Sequence, residues 1–415
     1  MSSSKSFKVD KMSVFDAFRR VKANRGEAGI DSQTIAEFEA DLKGNLYKVW
    51  NRLSSGSYFP PPVRTIFIAK KGGGERELGI PTVSDRIAQT VVKMQLEPVI
   101  EPLFHEDSYG YRPGRSAHQA ISITRRRCWK YDWVVEFDVL KLFDTIDHQL
   151  LMKAVRFHVD NKWVFLYVER WITAAAQQKQ GALSARDRGT PQGGVLSPLL
   201  ANLFMHYVSD AWMGREFPEN PFCRYADDGI VHCRTQEEAQ RILQALGERL
   251  QSCKLQIHPD KSKIIYCKDD RRRQQYKCIQ FDFLGFTFRP RRASVGGGRY
   301  KAGFLPAISR HAECAIRQVV RTWKMHLWSS LTLSALARRC APHFRGWMNY
   351  YCLFYKSQFS WIAAYFNAVI RRWAMRKFKK FRKKKTAATS WIQSMVELQP
   401  RLFPHWSAGF TFVAR

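Results

Sequence analysis

The stretch FCRYADDGIVHC sets Asp227 and Asp228 side by side between short runs of β-forming residues, at what reads as the tip of a hairpin. Adjacent carboxylates repel, and a divalent metal is the usual cation that holds them together. Asp-Asp-Gly is also ordinary turn chemistry, so the pair takes its meaning from the rest of the chain. Asp138 follows a second strand-like run, WVVEF, whose alternation puts Val134, Glu136 and Asp138 on one face. A sheet that pairs these strands would bring Asp138 and Asp227 to one edge, with Asp228 adding charge beside them. Two magnesium ions held there, roughly 3.5–4 Å apart, would suit in-line phosphoryl transfer, one activating an attacking hydroxyl and the other stabilising a leaving pyrophosphate.

Other residues suit phosphate. Lys70 and Arg76 flank the turn Gly72-Gly73-Gly74 and offer a point charge and a planar fork, but on the residues alone they read first as solvated surface charges.

The elements that must position these groups follow from periodicity. Phe15, Phe18 and Val21, then Ile35, Phe38, Leu42, Leu46 and Val49, recur at helical spacing, and Pro60-Pro61-Pro62 ends that region. Residues 63–69 read as a strand, 83–104 as an amphipathic helix, 133–139 as a strand and 236–252 as a helix. Ser197-Pro198 reads as an N-cap followed by proline at the first helical position. Residues 279–288 read as a strand, and beyond Gly296-Gly297-Gly298 the pattern becomes almost wholly helical. There Trp361, Tyr365, Phe366, Val369 and Trp373 form one stripe.

Charge marks the partner. Among 415 residues, 68 Lys and Arg against 36 Asp and Glu give a net charge of +32, an excess that a polyanion would neutralise. Residues 301–415 hold 21 of those cations against only Glu313 and Glu397, a net of +19. A solvated helix face normally mixes signs, so Arg371, Arg372, Arg376, Lys377, Lys379 and Lys380 are candidate polyanion-binding residues. No apolar run reaches the roughly 18 residues of a membrane helix, and nine scattered cysteines suit a reducing cytosol, so a cytoplasmic protein without a membrane partner is expected.

These blocks, in this order, resemble the group II intron-encoded reverse transcriptases, also called maturases. The resemblance covers about residues 20–355, through AGIDS, IAKKGGGERELGIPTVSDRIAQ, SYGYRPGRSAHQAI, FDVLKLFDTIDH, RGTPQGGVLSPLLANLF, FCRYADDGIVHC, HPDKSK, FDFLGF and FRGWMNYYCLFYKS. It implies an α+β right-hand polymerase followed by an α-helical thumb/maturase domain. The expected division is a helical N-terminal extension (1–60), fingers and palm (61–290), a basic thumb/maturase domain (291–390) and a short C-terminal segment (391–415). It implies Asp138, Asp227 and Asp228 as catalytic metal ligands for two magnesium ions, and dNTP substrates. Lys70, Arg76, Phe143 and Gln192 would contact the nucleotide, with Phe143 excluding a ribose 2′-hydroxyl. Arg112, Arg115 and Lys261 would touch the RNA template or DNA primer. The activity expected is RNA-directed DNA synthesis, together with binding of the parent intron RNA to promote splicing and retrohoming. A splicing-only maturase and a stand-alone defence or repair reverse transcriptase are the rival expectations. No Cys/His cluster of a nuclease domain follows, so endonuclease activity is not expected; the sequence sets no oligomeric state. The chain departs from the family pattern at Ala69 and at Leu140-Lys141-Leu142.

Overall fold

The computed structural model describes residues 6–69, 75–177, 183–184, 186–294 and 296–411. Caps account for where the first helices begin. Helix α1 (Lys11–Asn24) starts at Asp10, whose carboxylate accepts the Ser13 amide. Helix α2 (Ile35–Ala40) opens on a capping box between Thr34 and Glu37, and α3 (Leu42–Ser55) stops at Gly56 in the left-handed conformation. Strand β1 (Arg64–Ala69) then pairs antiparallel with β2 (Glu75–Ile80).

Helix α4 (Val83–Ile100), capped by Thr82, buries Ile87, Ala88, Val91, Val92 and Leu96 completely. Helix α5 (Ala117–Cys128) leads into β3 (Trp133–Asp138), which is buried on both faces rather than one, as befits a central strand. Helices α6 (Leu142–Thr145), α7 (His148–His158) and α8 (Lys162–Ile172) follow, then two-residue strands β4 (Ala176–Gln177) and β5 (Leu183–Ser184). Helix α9 (Ser197–Met205) passes through a π-helical turn at 206–210 into α10 (Ala211–Glu216). The hairpin β6 (Phe222–Tyr225) and β7 (Asp228–Cys233), helix α11 (Gln236–Ser252) and β8 (Lys263–Tyr266) complete a four-stranded sheet ordered β6-β7-β3-β8.

By compactness the chain forms two units, residues 1–120 with 135–264, and residues 121–134 with 265–415. The second holds a three-stranded antiparallel sheet, β9 (Phe281–Phe283), β10 (Phe286–Ser294) and β11 (Tyr300–Ile308), ordered β11-β10-β9. Two expectations are corrected here. Residues 279–288 are not one strand: Leu284 and Gly285 both take positive φ, 50° and 81°, and turn the chain between β9 and β10. The segment after Gly298 is not yet helical, because β11 pairs along the whole of β10 first.

Helices α12 (Arg310–Thr322), α13 (Leu333–Tyr351), α14 (Ser360–Lys377), α15 (Lys385–Leu398) and α16 (Pro404–Ser407) follow. Leu336, Phe344, Phe366, Ile370, Trp373, Ile392 and Phe403 form their core. On α14 the buried stripe opens at Ile362, and Trp361, one residue and about 100° away, is 63% exposed. Trp361 therefore lies off the stripe expected of it.

Candidate active site

Asp138 ends β3, and the hairpin that carries Asp227 and Asp228 lies beside it. Tyr225 pairs with Asp228, which leaves Ala226-Asp227 as a two-residue turn, and the Val139 amide donates to the Asp227 carbonyl at 3.2 Å. Gly229 is what permits this approach: a Cβ there would stand 2.0 Å from the Phe137 ring on β3. Residues 258–262 fix Asp138 from its other side. Its carbonyl accepts the His258 amide at 2.8 Å, its own amide donates to Ser262 Oγ at 3.2 Å, and Lys261 Nζ donates to Oδ2 at 2.8 Å.

The three carboxylates sense one another. Burial, then the Asp227 and Asp138 charges and a hydrogen bond to Asp138, push the Asp228 carboxyl up to about 8. Burial works to lower the Lys261 ammonium, but its hydrogen bond to Asp138 and the three carboxylates together raise it. The cluster thus carries more negative charge than one lysine balances. An all-oxygen donor set with surplus negative charge fits a hard divalent ion. Among the described residues no group of three or more His, Cys, Asp or Glu forms a ready-made metal cage, so other oxygens would have to complete the coordination.

A buried arginine supports the hairpin. Arg224, on β6, has no solvent exposure, and its guanidinium donates to Asp210 Oδ1 and Oδ2, each at 2.6 Å. It also donates to Ser108 Oγ at 2.9 Å, Asn202 Oδ1 at 3.1 Å and the Ala226 carbonyl at 2.9 Å. Ala226 has φ 58°, a conformation costing roughly 1–2 kcal/mol for a residue with a Cβ. The Arg224 bond to its carbonyl helps to hold that turn. The sequence contained one signal for this, a charged residue inside an otherwise apolar strand, but no spacing rule points to Asp210, Asn202 or Ser108.

Loop 188–196 lies next to the segment after β3. The Thr190 amide donates to the Phe143 carbonyl at 2.6 Å, and Gln192 Nε2 donates to Asp144 Oδ1 at 2.7 Å. The Gly79 amide on β2 donates to the Gln192 carbonyl at 2.6 Å, and a Cβ on Gly193 would fall 2.3 Å from the Gly79 oxygen. Ser197 is not the N-cap expected of it. It is the first helical residue of α9 and donates to the Pro191 carbonyl at 2.6 Å, while the Val195 and Leu196 amides find Gln89 Oε1 at 2.7 and 3.3 Å. Phe143 is buried, edge-on to the half-exposed Tyr111. Lys141, where the family pattern has glycine, takes φ 49°.

Lys70 lies outside the described residues, and only the backbone of Arg76 is described, opposite Ile68 in the β1–β2 ladder. Arg115 lies over the Tyr109 ring at 5.7 Å. The Arg112 side chain is 5% exposed, paired with Glu101 at 2.9 Å and donating to the His105 and Ser108 carbonyls at 2.7 Å, so it braces its own loop. Arg371 is 8% exposed within the helical core and donates to Thr389 Oγ1 at 3.3 Å. Burial lowers its pKa. Arg372, Arg376, Lys379 and Lys380 are exposed, and Lys377 reaches the Ser329 carbonyl at 2.7 Å.

A concavity of about 600 Å³ along α7 and α8, lined by His148, Met152, Arg156, Phe157 and Phe165, lacks paired carboxylates. Chemistry rather than volume marks the site. Among the described residues, no helix is long and apolar enough to cross a membrane.

Strand-borne carboxylates meeting at one end of a sheet, beside a lysine and a clamped glycine loop, are the components of a nucleotidyl-transfer enzyme. The reverse transcriptase (RNA-dependent DNA polymerase) family matches residues 68–288, and the group II intron maturase-specific domain matches residues 314–391. The chain belongs to the group II intron-encoded reverse transcriptase and maturase family. It is 31% identical over 344 residues to protein YkfC of Escherichia coli, covering 74% of this chain and 86% of that protein. It is 32% identical over 241 residues to the group II intron-encoded protein LtrA of Lactococcus lactis, covering 56% of this chain but only 39% of LtrA. Among solved structures, telomerase from Candida albicans with a fragment of telomeric RNA aligns at a TM-score of 0.46 and 11% identity, over 91% of this chain and 68% of that one.

Proposed function

We propose that the protein copies RNA into DNA with two magnesium ions at Asp138, Asp227 and Asp228, and binds its parent intron RNA to promote splicing and retrohoming. The observation that carries the polymerase reading is the juxtaposition of β3 with the β6–β7 hairpin, which sets Asp138 beside the Asp227–Asp228 pair, with Lys261 bonded to Asp138. Bound magnesium would lower the pKa of the primer 3′-hydroxyl and carry charge on the leaving pyrophosphate.

The rest is done by the chain's own groups. Asp138 is held at backbone and side chain by residues 258–262, so its oxygens keep their place as charge develops. Lys261, bonded to that carboxylate, would lie on its primer side. Lys70 and Arg76 would hold the triphosphate, Gln192 and its glycines would face the incoming nucleotide, and the buried Phe143 ring would exclude a 2′-hydroxyl. Arg115 remains the candidate template contact. Arg372, Arg376, Lys377, Lys379 and Lys380 would meet intron RNA phosphates. Residues 61–290 would serve as fingers and palm and 291–390 as the thumb/maturase domain, after an N-terminal extension of 1–60 and before a segment of 391–415, with a cytosolic site of action.

A splicing-only maturase would have no use for three mutually coupled carboxylates. Primer extension on an RNA template with dNTPs, with and without a metal chelator, tests the proposal. Metal-dependent extension is the expected result, and absence of extension at any divalent metal concentration would overturn it.

A further inference from the structure

Gln89 and Asp85 stand one helical turn apart on α4, on the same face, and both are essentially buried. Asp85 receives only donors: Tyr58 Oη at 2.9 Å and Trp171 Nε1 at 2.8 Å on Oδ1, and Gln89 Nε2 at 2.9 Å on Oδ2. Burial raises the Asp85 carboxyl, and those three hydrogen bonds oppose the rise. An amide whose nitrogen is committed to a carboxylate must turn its oxygen the other way. Gln89 Oε1 therefore faces α9 and accepts the Val195 amide at 2.7 Å and the Leu196 amide at 3.3 Å. These amides precede α9, whose Leu196 cap makes no side-chain hydrogen bond of its own. Gly194 lets the loop come this close, since a Cβ there would already lie 3.3 Å from Gln89 Oε1.

We propose that Gln89, oriented by Asp85, is a positioning residue that fixes loop 191–196 and so sets affinity for the incoming deoxynucleoside triphosphate. The inference rests on the reading that Gln192 faces that nucleotide. Gln89 touches neither substrate nor metal. It acts through the loop, which is otherwise tethered by the Gly79 amide to the Gln192 carbonyl and by Ser197 Oγ to the Pro191 carbonyl. With Gln89 released, the end of the loop nearest α9 loses its anchor while Gln192 keeps its bond to Asp144.

The polarity of the pair supplies a test that packing alone would not pass. In Gln89→Glu two carboxylates face each other and the donor to Asp85 is gone. In Asp85→Asn an amide donor opposes the Gln89 amide donor, so Gln89 either flips or parts from the loop. Combined, Asp85→Asn with Gln89→Glu restores donor to acceptor at 85–89 and leaves a carboxylate oxygen for the Val195 and Leu196 amides.

The experiment is steady-state primer extension, reading KM for dNTP and kcat, with primer–template Kd and Tm measured on the same preparations. Each single variant is expected to raise KM for dNTP about tenfold, the loss of roughly one to two hydrogen bonds, with primer–template Kd unchanged within about twofold. The double variant is expected to return KM to within about threefold of wild type. Singles that lower Tm yet leave KM unchanged, or a double variant no better than the singles, would overturn the inference. Should these singles fail to fold, Gln89→Leu, which keeps the volume and adds no charge at a buried position, carries the same KM expectation. Gln192→Ala separates the layers. If it leaves KM unchanged the loop's nucleotide role fails, whereas a raised KM there with normal Gln89 variants refutes only the positioning role.

Discussion

Arg224 and Asp210 form a doubly hydrogen-bonded ion pair, 2.6 Å on each side, with neither side chain exposed. The same guanidinium reaches the Ala226 carbonyl at 2.9 Å, in the turn that presents Asp227. Fold stability and hairpin geometry therefore meet in one residue, and mutation should separate them. Arg224→Met leaves Asp210 buried without its cation and is expected to cost about 3–5 kcal/mol. Adding Asp210→Leu removes the stranded charge and should recover most of that loss. Primer extension should remain impaired in the double variant, because the Ala226 turn still lacks its donor. Denaturant unfolding beside primer extension measures both, and activity that returns with stability would reduce Arg224 to a purely structural part.

Phe143 is buried against Tyr111, with its carbonyl fixed by Thr190. Phe143→Val shortens the side chain without introducing a polar group. Discrimination between dNTP and rNTP, as a ratio of kcat/KM values, is expected to fall by about 10- to 100-fold, the range for a modest change in a steric pocket. An unchanged ratio would show that the ring does not meet the sugar.

The basic run at 371–380 divides by exposure. Replacing Arg372, Arg376, Lys379 and Lys380 together by Gln should flatten the dependence of log K on log salt for intron RNA, by about 0.7 for each RNA phosphate that is no longer neutralised. Arg371→Gln, at a buried position, should leave that slope unchanged and lower Tm instead. A filter-binding series in rising salt decides between them.

His405 is held neutral. Burial pushes its pKa down to about 3, and its Nε2 hydrogen-bonds Asn367 Oδ1 at 2.7 Å, an oxygen that also accepts Trp406 Nε1 at 2.9 Å. Its folded pKa lies below the unfolded one, so its contribution is fully present above the unfolded pKa of about 6.5 and is lost as pH falls from there toward about 3. At about pH 5 the loss should amount to roughly 2 kcal/mol. His405→Phe, set among Phe344, Phe366 and Phe403, should be less stable at neutral pH but flatter across that window. Thermal melts of both proteins against pH provide the comparison.

The carboxylate cluster was legible because its members sit at the ends of short strands, and a two-residue hairpin leaves little choice of register. The helices expected over 83–104 and 236–252 were equally plain from their periodicity, although the first ends at Ile100. What escaped were relationships that no local period encodes. Arg224 finds Asp210 in a π-helical turn, and Gln89 finds amides more than a hundred residues downstream. Strand β11 was obscured because Gly303 and Pro306 interrupt its alternation. Leu284-Gly285 disappeared into an apolar run because a turn flanked by phenylalanines looks like continuous strand. Trp361 was misplaced by about one residue of helical phase, enough to exchange inside and outside.

Asp227 is the residue on which RNA-directed DNA synthesis should depend most directly. Single-turnover primer extension on an RNA template, with dNTP and magnesium saturating, should show wild-type extension and a loss of at least about a thousandfold in Asp227→Asn, as expected when several kcal/mol of transition-state stabilisation is removed. Binding of primer–template should be unchanged. Equal extension by wild type and variant, or none by either, would contradict the assignment of the Asp138–Asp227–Asp228 cluster as the centre of RNA-directed DNA synthesis.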